Sequence, residues 1–375
     1  MTAPIRAEFA VVGSGWRSQF FLRLARSAPD RFRVCGVVTR SAQRGAEVEK
    51  NWGVTTFRTV EELLAAARPL FVITCVPWQL TGPVTTEWVR AGVPVLAETP
   101  PAADLAGLTE LWEAVGGTGL VQVAEQYLRM PAHAARLELV RQCLIGEVTS
   151  VQVSSTHLYH AVSMIRGLLG VGLGPVTVDA RSFTAPLADP LSPQGWSGSA
   201  EPAAAATTIA TLDWGAGRTG LYDFTDNQWW NPLRSRRIVI RGSLGEIVDD
   251  HVVRLADPTT PIESSIQRRL TGLDLNLEGL EIRHVSHDGK ILWRNNFSGA
   301  GFSEDDLAVA DLLDEMVAWC RGDGPAPYPL EQGCHDHLIS LAIGESIDSG
   351  RTVTTAPAPW SPGADHQGSE GNSDA

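Results

Sequence analysis

Apolar and polar positions are arranged in two different ways along this chain, and the change falls near residue 125. Before it, short apolar runs are followed by stretches whose apolar residues recur every three or four positions. Phe9–Val12 is a run that stops at Gly13, after which Phe20, Phe21, Leu24 and Ala25 share one helical face. Arg33–Val38 reads as a second strand. Leu70–Val76 is an apolar strand closed by Pro77, with Val84, Trp88 and Val89 on the helix that follows and Gly92 as its stop. Val93–Ala97 is closed by Thr99-Pro100-Pro101. Leu105, Leu108, Leu111, Trp112 and Val115 give another helical stripe, and Leu120–Val123 a last short strand. Apolar strands alternating with amphipathic helices predict a parallel sheet covered on both faces.

After Glu125 the period changes. Pro131–Leu144 still reads as a helix. From Val148 onward apolar and polar residues alternate singly, in Val148–Ser155, Val176–Phe183, Thr207–Asp213, Gly220–Phe224, Arg237–Arg241 and Glu246–Asp249. That pattern predicts a largely antiparallel sheet with hairpins. Asp306–Trp319 and Asp336–Ile347 read as two closing helices. The expected fold class is therefore α/β followed by α+β. A Rossmann-type domain over residues 1–125 is followed by an open, mainly antiparallel domain over 126–355. Residues 356–375 hold few core formers and read as a disordered tail.

Composition narrows the partners. The chain has 375 residues, 43% hydrophobic and 19% charged, which suits two ordinary globular domains. Its formal net charge of −13 opposes phosphate backbones and anionic lipid, so neither nucleic acid nor membrane is expected as a partner. The local cluster Arg234, Arg236, Arg237 and Arg241 fits a solvated strand face or a subunit contact. Five cysteines, an odd number with no CxxC, fit reduced thiols better than a disulfide framework. The first residues carry no signal-peptide pattern, and no apolar run approaches membrane-spanning length, so a cytoplasmic location is expected.

Candidate chemistry begins at Gly13-Ser14-Gly15-Trp16-Arg17-Ser18, between the first strand and the first helix. Gly13 permits a tight turn, and Gly15 lets the backbone approach a pyrophosphate at the helix N-terminus. Ser18 stands where a third glycine is usual, small enough for close helix–strand packing. The second strand ends at Thr39-Arg40, where an NAD-binding domain would place a carboxylate. An arginine among hydroxyls favours a 2′-phosphate, so the cofactor is NADP or NAD with a lean to NADP. Cys75 and Pro77 end one strand and Glu98 and Thr99 another. These ends are where open α/β sheets bind ligands, and they complete the expected cofactor set.

With these features in order, the chain resembles the glucose-fructose oxidoreductase/inositol dehydrogenase (Gfo/Idh/MocA) family over about residues 7–350. The N-terminal GxG, the Glu98-x-Pro100 and a His before an apolar helix ending Leu168-Leu169-Gly170 carry the resemblance. It implies a carbohydrate or polyol substrate, NAD(P)-dependent chemistry at a secondary alcohol, and homodimers or homotetramers built by sheet packing. It also places His160 as the acid–base residue, a role that an ordinary histidine pKa suits near neutrality. Two departures stand out. The family's Glu-Lys-Pro lysine is Thr99 here, and the aspartate of its Asp-x-x-x-His is Thr156. His157, Tyr159, Glu125 and Tyr127 are the groups that could supply what is missing. His157 lies three residues from His160, so the two share a face if the helix begins there.

Other features have more than one reading. Cys334-His335-Asp336-His337 begins a predicted helix, where residues two apart diverge. A capping Asp and surface histidines are expected there, and no metal site. Trp229 and Trp230 could stack on a sugar or fill an interface. Besides a net dehydrogenase, the missing lysine leaves open a redox-neutral enzyme that retains its nucleotide, working by elimination, epimerisation or glycoside cleavage through transient oxidation. A non-catalytic nucleotide or sugar sensor is the third possibility.

Overall fold

The computed structural model describes residues 6–273 and 279–361. In chain order the elements are β1 (Ala7–Val12), α1 (Trp16–Ser27), β2 (Phe32–Val38), α2 (Ala42–Trp52), β3 (Thr56–Phe57), α3 (Val60–Ala66), β4 (Val72–Thr74), α4 (Trp78–Arg90), β5 (Val95–Ala97), α5 (Leu105–Val115) and β6 (Val121–Val123). Then come α6 (Pro131–Arg141), β7 (Val148–Ser154), α7 (Leu158–Leu169), β8 (Thr177–Ala188), β9 (Leu191–Ser192), β10 (Gly195–Trp196), β11 (Pro202–Asp213), β12 (Thr219–Thr225), β13 (Arg237–Gly242), β14 (Gly245–Val248), β15 (His251–Asp257) and β16 (Thr260–Ser265). The last are β17 (Gln267–Leu270), β18 (Ile282–His287), β19 (Lys290–Arg294), α8 (Glu304–Cys320), α9 (Leu330–Ser349) and β20 (Val353–Thr354). Among the described residues the chain forms two compact units. The first draws on Met1–Met130, Leu270–Arg283 and Asn295–Cys334; the second draws on Pro131–Arg269, His284–Arg294 and His335–Ala375.

In the first unit, six parallel strands lie in the order β3-β2-β1-β4-β5-β6. Phe9, Val11, Ile73, Val95 and Leu96 are fully buried, as strands covered on both faces must be. Phe21, Leu24 and Ala25 of α1 bury the stripe legible in the sequence, each of the two larger side chains contributing about 1.5–3 kcal/mol. The chain reverses its direction of travel across the sheet at β1, and this opens a crevice at the carboxyl ends of β1 and β4.

Residues from the distal half of the sequence complete this unit. Phe297 stacks on Phe32 at 5.9 Å, and Arg31 pairs with Asp314 of α8. The edge of β6 is closed by Val123 N–H donating to Tyr328 O at 2.8 Å, with Gln122 bridged to Pro329. The division at residue 125 expected from the sequence does not contain this return.

The second unit is built on a nine-stranded sheet of order β16-β15-β14-β13-β7-β12-β11-β8-β20, antiparallel except where β7 meets β12. Helix α7 lies on β7 and β12. Gly220 makes the approach possible, because a Cβ there would stand 2.7 Å from Ile165 Cγ2. Along β8 and β11 burial alternates. Val178, Ala180, Ala210 and Leu212 are buried, while Phe183 and Ile209 are exposed on the other face. Arg234, Arg236, Arg237 and Arg241 are exposed.

Two expectations are corrected here. Helix α9 begins at Leu330, so Cys334–His337 sits a turn inside it and Asp336 caps nothing. His335 and His337 are buried, not on the surface, and Asp336 is ion-paired with Arg166 in the interior. This helix is apolar on several sides, which hides its start from a pattern reading. Of the tail expected over 356–375, residues 356–361 are described, and two of them pack against the second unit. Ala358 and Trp360 are buried, and Ser361 Oγ donates to Leu173 O at 3.0 Å. The remainder lies outside the described residues. Among those described, no helix is long and apolar enough to cross a membrane.

Candidate functional site

The turn after β1 is shaped by Gly13. Its φ of +112° is open to glycine, and a Cβ there would collide with Cys75 O at 2.1 Å. The residue is wedged between two strand ends, with Gly13 N–H donating to Val38 O at 2.8 Å and Cys75 N–H to Val12 O at 2.7 Å. Gly15 is the N-cap of α1. No side chain caps the helix, no acidic residue occupies its first turn, and the space a Gly15 Cβ would fill is empty. Free N–H groups, a positive helix end and an open approach are what a dinucleotide pyrophosphate requires. Gly13, Ser14, Gly15 and Trp16 therefore fit the expected cofactor. Ser18 is buried against the sheet, the packing role of the third small residue.

Thr39 lies beside this turn, its Oγ1 3.1 Å from Ser14 Oγ. Arg40 follows with its side chain exposed. Pro77 is the N-cap of α4, and Cys75 sits at the crevice, its thiol pushed well above the usual range by burial and then by Glu98.

Arg17 does not reach outward. Its Nε donates to Glu98 Oε1 at 2.7 Å, and its guanidinium lies 4.6 Å from the Phe20 ring centroid. Burial disfavours the Arg17 charge, but Glu98 more than offsets this and leaves the pKa above its ordinary value. The pair ties the first turn of α1 to the end of β5. Thr99, next in the chain, adds no charge. Glu125 is buried, and its Oε1 accepts from Tyr127 N–H at 3.0 Å, closing the turn after β6.

The second unit assembles the remaining candidates. His157 is the N-cap of α7, and Leu158 follows in the left-handed region at φ +39°, its N–H donating to Tyr222 Oη at 3.2 Å. That bend turns His157, Tyr159 and His160 together. The His157 ring lies 5.2 Å from both Tyr159 and His160, and Tyr159 and His160 are 4.5 Å apart. Trp229 closes on His157 at 4.8 Å, Phe224 on Trp229 at 4.6 Å, and His337 on Tyr159 at 5.7 Å. Burial, then the neighbouring His160, lowers His157 to about 3. It is a neutral imidazole at neutral pH, and its Nδ1 is buried with no hydrogen-bond partner among the described residues. Thr156 is fully buried and 3.5 Å from Trp229 Nε1. Trp230 stays largely exposed.

The aromatic box thus contains two residues the sequence reading did not nominate, Phe224 and His337. The alternation of β12 gave the signal for Phe224, which shares the inward face with Tyr222. Nothing in the sequence pairs His337 with Tyr159. Among the described residues no group of three or more His, Cys, Asp or Glu is arranged to hold a metal ion.

Residues 7–126 match the Gfo/Idh/MocA family, described as an oxidoreductase family with an NAD-binding Rossmann fold. The sheet order, the uncapped glycine turn and this match define the class: the first unit contains an NAD-binding domain of the oxidoreductase type. Residues 7–126 are similar to the Rossmann domain of the Gfo/Idh/MocA oxidoreductases, and the cofactor of that domain is a nicotinamide dinucleotide. Solved structures extend the likeness of fold to the second unit. A levoglucosan dehydrogenase in complex with NADH and levoglucosan is 16% identical with a TM-score of 0.66, covering 93% of this chain and 99% of its own. A myo-inositol dehydrogenase from Corynebacterium glutamicum is 17% identical with a TM-score of 0.64, covering 94% and 100%. The WlbA dehydrogenase from Bordetella pertussis, in complex with NADH and UDP-GlcNAcA, is 16% identical with a TM-score of 0.61, covering 95% and 99%. No curated protein matches.

Proposed function

We propose that this chain oxidises or reduces a secondary alcohol carbon of a sugar, glycoside or polyol, with His160 as the acid–base group. The observation that carries the reading is the uncapped, glycine-lined N-terminus of α1 at the crevice of a 3-2-1-4-5-6 sheet. The nicotinamide, when bound, supplies a hydride acceptor or donor. Ser14, Gly15 and Trp16 would hold the pyrophosphate through backbone N–H groups, with Gly13, whose own N–H donates to Val38 O, shaping the turn. His160 takes or returns the hydroxyl proton at an imidazole nitrogen. His157, neutral at working pH, offers a hydrogen bond without adding charge, and the flat faces of Tyr159 and Trp229 suit the C–H faces of a hydroxylated ring. The hydroxylated ligands named for the solved dehydrogenases support this substrate class.

The test is a panel of sugars, glycosides and polyols assayed by reduced-cofactor absorbance and, in parallel, by product. His160→Ala is expected to lower turnover by about 10²–10⁴-fold while nucleotide binding persists. Unchanged turnover would remove His160 from the mechanism. Product formed with no net change in cofactor would assign the chain to redox-neutral chemistry. Binding without turnover across the panel would make it a sensor.

A further inference from the structure

We propose that His133 and Arg236, held in place by Arg136 and Trp229, form an oxyanion subsite beside the aromatic box, and that the substrate of this chain carries an acidic group, a carboxylate or a phosphate. The inference rests on the reading of the box as the place of a hydroxylated ring, and adds the charge that ring bears.

The course of the chain brings the two places together. Arg237 stands opposite Ser154 where β13 meets β7, just before the chain turns into α7. Gln228 Nε2 donates to Ser154 O and to Ser235 O, both at 2.8 Å, and Arg236 Nη2 donates to Trp229 O. Arg236 is thereby tied to the residue whose ring lies 4.8 Å from His157.

His133, in the first turn of α6, has its proton placed by a neighbour. Its Nδ1 lies 2.8 Å from Arg136 Nη1. A guanidinium can only donate, so Nδ1 accepts and the neutral ring carries its hydrogen on Nε2. That Nε2–H has no partner among the described residues. Burial, then Arg136, Arg268 and Arg236, holds His133 well below its ordinary pKa and keeps the ring neutral. The carboxylates at hand are engaged. Asp250 Oδ1 accepts from Arg136 Nη2 at 2.9 Å and its Oδ2 from Arg268 Nη1. Asp249 Oδ1 accepts from Ile238 N–H at 2.8 Å, and Asp223 Oδ2 from Ser154 Oγ at 3.3 Å. Arg136 is 4% exposed, and its Nε donates to Asp249 O at 2.6 Å, so it serves as the frame. Arg236 is exposed and forms no ion pair among the described residues. What His133 and Arg236 present is therefore donors alone. A sugar hydroxyl placed there would leave its own proton unmet, whereas carboxylate and phosphate oxygens only accept, and a guanidinium fork matches them.

The test pairs each neutral sugar of the panel with its uronic acid and its phosphate monoester. Their binding to the intact protein loaded with NADH is measured by calorimetry, with inorganic phosphate as the free-anion probe. The acidic member is expected to bind at least about tenfold more tightly than its neutral partner, and phosphate to compete with it. Arg236→Ala should lower that preference by about tenfold, and Arg236→Lys, which keeps the charge without the fork, by less. An unchanged melting temperature reports an intact fold. Equal binding of acidic and neutral partners, or a preference unmoved in Arg236→Ala, overturns the inference and leaves the oxidoreductase reading standing. Phosphate bound without competition would make this a separate effector site and overturn the substrate assignment. Acids bound through Arg236 but never turned over would overturn the oxidoreductase reading alone, and binding of no sugar overturns both.

Discussion

His157 shows how burial decides the state of a single side chain. Burial and then His160 hold it at about 3, against an ordinary value of 6.5. Burial and then Arg166 hold His335 at about 4, and burial keeps His133 well below the ordinary value. Between the folded and unfolded values the unfolded chain binds more protons, so stability rises with pH across that window. The contribution is full above about 6.5 and is lost as pH falls toward 4 and then 3. The melting temperature is therefore expected to fall from pH 7 to pH 4.5, and His157→Gln should flatten that slope. A slope untouched by the substitution would place the proton uptake on other groups. The spacing of His157 and His160 was legible in the sequence, as was the place of Gly13 and Gly15. Their surroundings were not. The pairing of Arg17 with Glu98 joins residues 81 apart in the chain.

Helix α7 illustrates what an element needs beyond its own pattern. Its apolar run predicts a helix, and Gly170 at φ +67° ends it as expected. Its start is held by the Tyr222 hydroxyl at a left-handed Leu158, and its last turn by the ion pair of Arg166 with Asp336 of α9. Both charges are nearly inaccessible, at 3% and 4% exposure. Removing one partner of such a pair costs about 3–5 kcal/mol, because the other charge stays in the interior. Arg166→Met should lose that much in chemical denaturation, and Arg166→Met with Asp336→Leu should recover most of it. A double variant as unstable as the single would show that Asp336 does not depend on its counterion. The strands of the second unit were legible by their alternation, but β8 and β11 run longer than the predicted spans. Their outer residues, such as Ala203–Ala206, have no apolar–polar alternation to mark them, though they stand in register with Thr184–Leu187.

Over the whole molecule, the net charge of −13 and the arginines around His133 do not conflict. Screening limits surface fields to about 8 Å at physiological ionic strength, so local charge governs that site. The α/β then α+β order was legible because the hydrophobic period changes once. The return of residues 295–334 was not, since a helix such as α8 carries no mark of which core it joins. Arg23 pairs with Asp306, Gln126 Nε2 donates to Asp305 at 3.2 Å, and Val123 packs on Gly333, where a Cβ would stand 2.6 Å from it. This has a consequence for synthesis on the ribosome. When residue 130 has left the exit tunnel, all six parallel strands have been delivered. Phe32 still lacks Phe297, and the β6 edge still lacks residues 328 and 329. The usual N-terminal-first order, in which a domain folds as it emerges, is thereby postponed until some 200 further residues have been made, about 10–40 s at ordinary elongation rates. A released fragment 1–130 is expected to melt without cooperativity and to bind an apolar dye, whereas a sharp transition would show that the early chain closes its core unaided. During that interval the nascent chain carries an open sheet edge, and it is then, more than at any later time, that chaperones have something to hold.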